Sequence, residues 1–148
     1  MASTEPQRPT AVNHLQELIR LDTVNPPGDE RAAQEYLAGL LGEAGFDVQL
    51  VGATNERPNL VARLRGTGDG PTLCLLSHVD TVLANADEWE HDPWSGALAD
   101  GCVWGRGAID MKSQVAAEAV GAAHLARSGW RPRSGALKLF AVVDEVDS

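Results

Sequence analysis

The sequence predicts an α/β domain, layered helix–sheet–helix around a mixed sheet. Segments with apolar residues at helical spacing are interleaved with short, strand-length apolar segments. Glycine and proline punctuate most boundaries between them. Two of the strand-like segments end abruptly in ionisable residues, the place where open α/β sheets gather ligands.

Taken in order, residues 1–9 read as a polar tail. From Ala11 to Leu21, Val12, Leu15, Leu18 and Ile19 recur at helical spacing, with Thr10 as the cap. Asn25-Pro26-Pro27-Gly28 breaks that helix, and a second fits Glu30 to Glu43, with Ala33, Tyr36, Leu37, Leu40 and Leu41 on its apolar face and Gly45 as its stop. Phe46 to Val51 alternates as a strand does, and Asn59 to Arg65 reads as another. Gly66-Thr67-Gly68-Asp69-Gly70 reads as a hairpin turn, because it lacks both a GxGxxG spacing and a Walker lysine. Thr72 to Leu76 is nearly all apolar, which predicts a central strand buried on both faces, with Cys74 in the core. A loop with Trp89, Pro93 and Trp94 follows, then a short hairpin from Ala97 to Val103 around Asp100-Gly101. Met111 to Arg127 is alanine-rich and helical with Gly129 as its stop, and Ala136 to Val143 is a last apolar strand. Trp104 and Trp130 are expected to pack, as are His14 and His124 unless they face solvent.

The 148 residues suffice for one domain with a sizeable core, and 43% apolar with 22% charged residues is ordinary for a globular chain. A net charge of −9 argues against nucleic acid as a main partner, since phosphate binding needs clustered Lys and Arg. No run of about 18 apolar residues is present, so no membrane span is expected. The first residues contain no apolar core of a signal peptide. The two cysteines, Cys74 and Cys102, form no CxxC pair. No disulfide framework is expected, and a reducing cytoplasm is the default location.

The ionisable residues at strand ends are His78 and Asp80 after one strand and Asp144 and Glu145 after another, with Asp110 in a loop ahead of a helix. Imidazole with carboxylates suits Zn²⁺ or a similar divalent ion. A histidine that binds metal through one ring nitrogen needs an acceptor on the other, and Asp80 is close enough in sequence to provide it. Asp110 lies in Gly105-Arg106-Gly107-Ala108-Ile109-Asp110-Met111-Lys112, where two glycines allow a tight backbone path. Each feature alone has a plainer reading: an ordinary strand end, a helix cap at Asp110, a solvated acidic turn at Asp144-Glu145. His91, in the tryptophan loop, is a weaker candidate.

In this order, SHVDTV (Ser77 to Val82), WxxxxPWSG (Trp89 to Gly96) and GRGAIDMK (Gly105 to Lys112) resemble the M20 metallopeptidase family, as does the opening segment Arg20 to Gly28. That family includes aminoacylases, acetylornithine deacetylase, succinyl-diaminopimelate desuccinylase and glutamate carboxypeptidases. The resemblance runs from about residue 11 to the end and implies a zinc-exopeptidase-like catalytic domain. It assigns His78 to one metal, Asp80 to orienting His78 with a catalytic role, and Asp110 to bridging two ions, zinc or sometimes cobalt. The family then carries a glutamate pair, general base followed by ligand, where this chain reads Asp144-Glu145-Val146-Asp147-Ser148. Either Glu145 alone remains across a one-residue gap, or Asp144 stands as a shorter base with Glu145 as ligand. The family's further acidic ligand, late histidine and dimerisation domain are absent from these residues.

The resemblance therefore implies a metal-dependent hydrolase that cleaves the amide of an N-acyl amino acid or small peptide, homodimeric when full length. Residues 10–148 would be the N-terminal part of its catalytic domain. The competing expectation is a truncated, inactive fragment with residual metal binding. A nucleotide-binding module has no fingerprint here.

Overall fold

The computed structural model describes residues 9–146. Helix α1 (Ala11–Arg20) starts as expected: Thr10 accepts from the Asn13 backbone, and the Asn13 side chain accepts from the Thr10 amide. Of its apolar residues, Leu18 and Ile19 are fully buried, whereas Val12 is exposed. Helix α2 (Arg31–Glu43) begins one residue later than the periodicity implies. Glu30 sits at its cap position without capping it, because its carboxylate is engaged elsewhere. Helix α3 (Ser113–Arg127) also starts late. Residues Ala108–Lys112 form an irregular wide turn in which Asp110 and Met111 leave helical geometry, so Asp110 caps nothing.

The main sheet has four strands: β1 (Asp47–Val51), β2 (Asn59–Arg65), β3 (Thr72–His78) and β6 (Ala136–Val142), in the order β1-β2-β6-β3. β6 pairs antiparallel with β2 and parallel with β3, so the sheet is mixed. A separate hairpin, β4 (Ala97–Ala99) and β5 (Cys102–Trp104), turns at Asp100 and Gly101, both with positive φ. This is the geometry an Asp-Gly hairpin turn requires.

Leu60, Ala62 and Leu64 of β2 stand opposite Ala141, Leu139 and Leu137 of β6 and share one face with them. All six pool into one core with Leu18, Leu37, Leu41 and the buried alanines of α3. Each buried leucine adds about 1.5–3 kcal/mol of burial. The alanines let α3 lie close against its neighbours. The helices and mixed sheet match the expected fold class; the described helices pool with this one face.

β3 departs from expectation. It is an edge strand with β6 as its ladder partner, and Leu73, Cys74 and Leu76 are exposed. Cys74 is therefore not a core residue. The apolar run records a strand that needs cover on both faces, but the described helices reach only its Leu75–Ser77 end. Gly66–Gly70 likewise makes no hairpin. β2 and β3 are not neighbours, and their connection passes the start of β6, where the Gly66 amide bonds to Gly135 and the Gly135 amide to Gly68. Trp130 is exposed rather than packed, while Trp104 is half-buried and meets His91 edge-on. His14 bonds through its ring to the Tyr36 hydroxyl. Asp147, Ser148 and most of the polar tail lie outside the described residues.

Candidate metal centre

The site forms where β3 and β6, parallel neighbours, reach their carboxyl ends. The Val79 amide extends the ladder to the Val142 carbonyl, and beyond it the two chains diverge. His78, the last residue of β3, is buried. The structure brings three of the other sequence-derived candidates, Asp80, Asp110 and Glu145, around its imidazole, whereas Asp144 turns to Arg57 and Asn25 and His91 packs against Trp104. Nδ1 lies 3.0 Å from the Asp80 carbonyl and 3.3 Å from Asp80 Oδ1. Nε2 lies 3.1 Å from Asp110 Oδ1 and 3.5 Å from Glu145 Oε2.

Both neighbours of Nδ1 only accept hydrogen bonds, so Nδ1 carries a proton. In neutral imidazole that leaves a lone pair on Nε2, pointing at two carboxylates. Such an arrangement is repulsive unless a cation, proton or metal, lies between them. An imidazole nitrogen and carboxylate oxygens are also the donor set that divalent zinc-like ions prefer. The residues present fit a metal on these grounds, although no group of three or more His, Cys, Asp or Glu side chains is closed around one point among the described residues. The carboxylates of Asp110 and Glu145 are well exposed, so the mouth of the site is open.

Asp80 is fully buried and does two things. Its Oδ1 faces the His78 ring, and its Oδ2 accepts from the Glu145 and Val146 amides at 2.9 and 3.0 Å. Asp80 thus meets the histidine Nδ1 through its backbone carbonyl, sets Oδ1 beside the ring, and with Oδ2 holds the backbone of the loop that carries Glu145.

Asp110 arrives on a different path. Gly107 is left-handed, and a Cβ there would stand 2.6 Å from Thr81 Cγ2. Gly105 is hemmed in by Ile19. Lys112 then anchors the loop: its ammonium is buried and donates to the Leu18 and Leu21 carbonyls at 2.8 and 2.9 Å, at the C-terminal end of α1. Burial pushes this amine down to about 8, partly countered by Asp22. Beside Asp110, a cleft of about 410 Å³ opens among Trp89, Trp104, Arg106 and Ile109.

The sequence reading missed Glu30, Arg57, Asn25 and the anchoring role of Lys112. Glu30 is fully buried and holds Arg57 at two points, Nε to Oε2 at 3.1 Å and Nη2 to Oε1 at 3.0 Å. The hydrogen bond to Glu30 is the largest influence raising the Arg57 pKa above its ordinary value. The only sequence signal for Glu30 was an acid at a helix start. Arg57, in the loop between β1 and β2, carried none.

Residues 74–146 match the family described as Peptidase family M20/M25/M40. The succinyl-diaminopimelate desuccinylase of Xanthobacter autotrophicus is 42% identical over 135 residues, covering 87% of this chain and 33% of the relative. Among solved structures, an M20 family metallo-carboxypeptidase from Sulfolobus solfataricus superposes with a TM-score of 0.75 at 19% identity, covering 89% of this chain and 30% of that one. The Bacillus subtilis YXEP protein, a dinuclear metal binding peptidase from the M20 family, superposes with a TM-score of 0.59 at 14% identity, covering 88% of this chain and 33% of that one. This chain thus spans about a third of the length of the curated relatives it matches. The motifs, the fold and these likenesses agree: the chain belongs to the M20 peptidase family.

Proposed function

We propose that this chain carries part of the active site of a metal-dependent amide hydrolase acting on an N-acyl amino acid or small peptide. The observation that carries the reading is the His78 ring, its Nδ1 held by Asp80 and its Nε2 aimed between the carboxylates of Asp110 and Glu145. His78 and Asp110 are the metal ligands in this reading, with zinc as the ion and cobalt as a substitute. Asp80 keeps the proton on Nδ1 and so directs the Nε2 lone pair outward. Glu145 is the carboxylate placed to take a proton from an attacking water and return it to the leaving amine. A bound divalent ion would polarise the scissile carbonyl and acidify that water. The desuccinylase relatives favour a substrate with a short dicarboxylic acyl group, and the open mouth with its adjoining cleft leaves room for a small one. Two free, exposed thiols, Cys74 and Cys102, suit a reducing cytoplasm.

The test is hydrolysis of a panel of N-succinyl, N-acetyl and dipeptide substrates by zinc-loaded protein, alongside His78→Ala and Asp80→Ala. Cleavage of at least one substrate, lost in both variants, is expected. A preparation with stoichiometric zinc that cleaves none refutes the reading.

A second reading has an observation in its favour: the described residues close no group of three metal-ligating side chains. On that reading the 148-residue chain binds metal weakly and does not turn over by itself. Turnover by purified chain, abolished by Asp80→Ala, overturns it.

A further inference from the structure

Asp144 and Glu145 are adjacent carboxylates at the end of β6, and by chemistry alone either would serve as a base. Their side chains point to different partners. Asp144 has a left-handed backbone (φ 64°) and meets Arg57 Nη2 at 3.1 Å and Asn25 Nδ2 at 3.1 Å. Glu145 Oε2 lies 3.5 Å from His78 Nε2.

Arg57 is held from behind. A buried carboxylate needs a cation with good geometry, and the guanidinium fork supplies two bonds to Glu30. Glu30 stands at the start of α2, against the core, so Arg57 is seated by an element outside the loop it contacts. From this seat Nη2 reaches Asp144. Asn25 Nδ2 shares Asp144 Oδ1 with Arg57 and also donates to the Val146 carbonyl at 2.9 Å, while Asp80 takes the Glu145 and Val146 amides. Residues 144–146 are therefore gripped from two directions.

We propose that Arg57, seated by Glu30, is a positioning residue that draws Asp144 away from His78 and leaves Glu145 as the carboxylate facing Nε2. This rests on the metal-site reading above and decides between its two acids: Glu145 works at the site and Asp144 is a tether.

The test uses ¹⁵N-labelled 148-residue chain, followed by NMR without metal and then titrated with cobalt chloride. Arg57→Met and Asp144→Asn are each expected to move the Glu145 and Val146 amide resonances and the His78 ring signals. Each is expected to weaken cobalt binding by about tenfold or more, the scale for outer-sphere partners. Because both cut the same link, the double variant is expected to be no weaker than the worse single one. Arg57→Lys, which keeps the charge, is expected to recover part of the affinity. If Arg57→Met does not fold, Asp144→Asn, which leaves the Glu30–Arg57 pair intact, carries the same expectation. A lowered melting temperature with unchanged amide, ring and cobalt readouts makes Arg57 merely structural and overturns the proposal. Cobalt bound at His78 with the same affinity in every variant overturns it while leaving the metal site standing. Cobalt that never perturbs His78 in the unsubstituted chain removes the metal-site reading and this proposal with it.

Discussion

Replacing Lys112 with methionine changes how stability depends on pH, and the structure sets the size of the effect. The Lys112 ammonium is buried, 1% exposed, and donates to the Leu18 carbonyl of α1 and the Leu21 carbonyl just past its end. Burial lowers its pKa from 10.5 to about 8. The unfolded chain keeps the ordinary value, so between pH 8 and pH 10.5 the unfolded state binds more protons than the folded state. Stability attributable to this group therefore rises with pH across that window. At about 1.4 kcal/mol per pH unit, the full rise is about 3 kcal/mol, an order-of-magnitude figure. Below pH 8 the burial penalty is present in full and is offset by the two charge-assisted bonds; above it a neutral amine still donates to both carbonyls. The assay is urea unfolding of the parent and Lys112→Met in steps from pH 7 to 10.5. Other ionisable groups are common to both proteins and cancel in the difference. The parent is expected to gain about 3 kcal/mol relative to the variant across the window. Parallel pH profiles would refute the reasoning and mean that Lys112 is not held in a dry, charged state.

Two further outcomes are expected from other parts of the fold. Burial is the main cause that lowers the His14 pKa below 6.5, with Arg127 adding to it and Glu17 opposing. Its contribution to stability is present above pH 6.5 and declines as pH falls through the folded value; an NMR titration placing the ring at or above 6.5 contradicts this. Gly107→Ala puts a side chain at a left-handed residue and 2.6 Å from Thr81 Cγ2. A loss of about 1–2 kcal/mol in chemical unfolding is expected from the backbone alone, and an unchanged midpoint shows that the loop relaxes freely.

Much of the fold was legible because it follows from local rules. Thr10 capped α1, Leu18 and Ile19 went inward, and Asp100-Gly101 turned a hairpin, since each depends on residues a few positions apart. The order of motifs carrying His78, Asp80 and Asp110 was likewise readable, because a strand end or glycine loop that presents an ionisable side chain leaves a short, contiguous trace; which of Asp144 and Glu145 faces His78 was not. Strand order left no such trace. Thr72 to Leu76 read as central because apolar runs record the cover a strand needs, whereas its edge position follows from β6 inserting beside β2. The same insertion turned the Gly66–Gly70 stretch from a hairpin into a connection past β6.

The sequence by itself determined which residues were chemically able to form the site, since a side chain's donors and charge are properties of the residue. Tertiary structure alone decided which of them meet. Glu30, Arg57 and Asp144 are separated by 27 residues or more, and only the packing of α2 against the sheet brings them together. Lys112 reaches back across 94 residues to Leu18. Such pairs have no periodicity and no spacing rule, because their geometry is set by the burial of other residues.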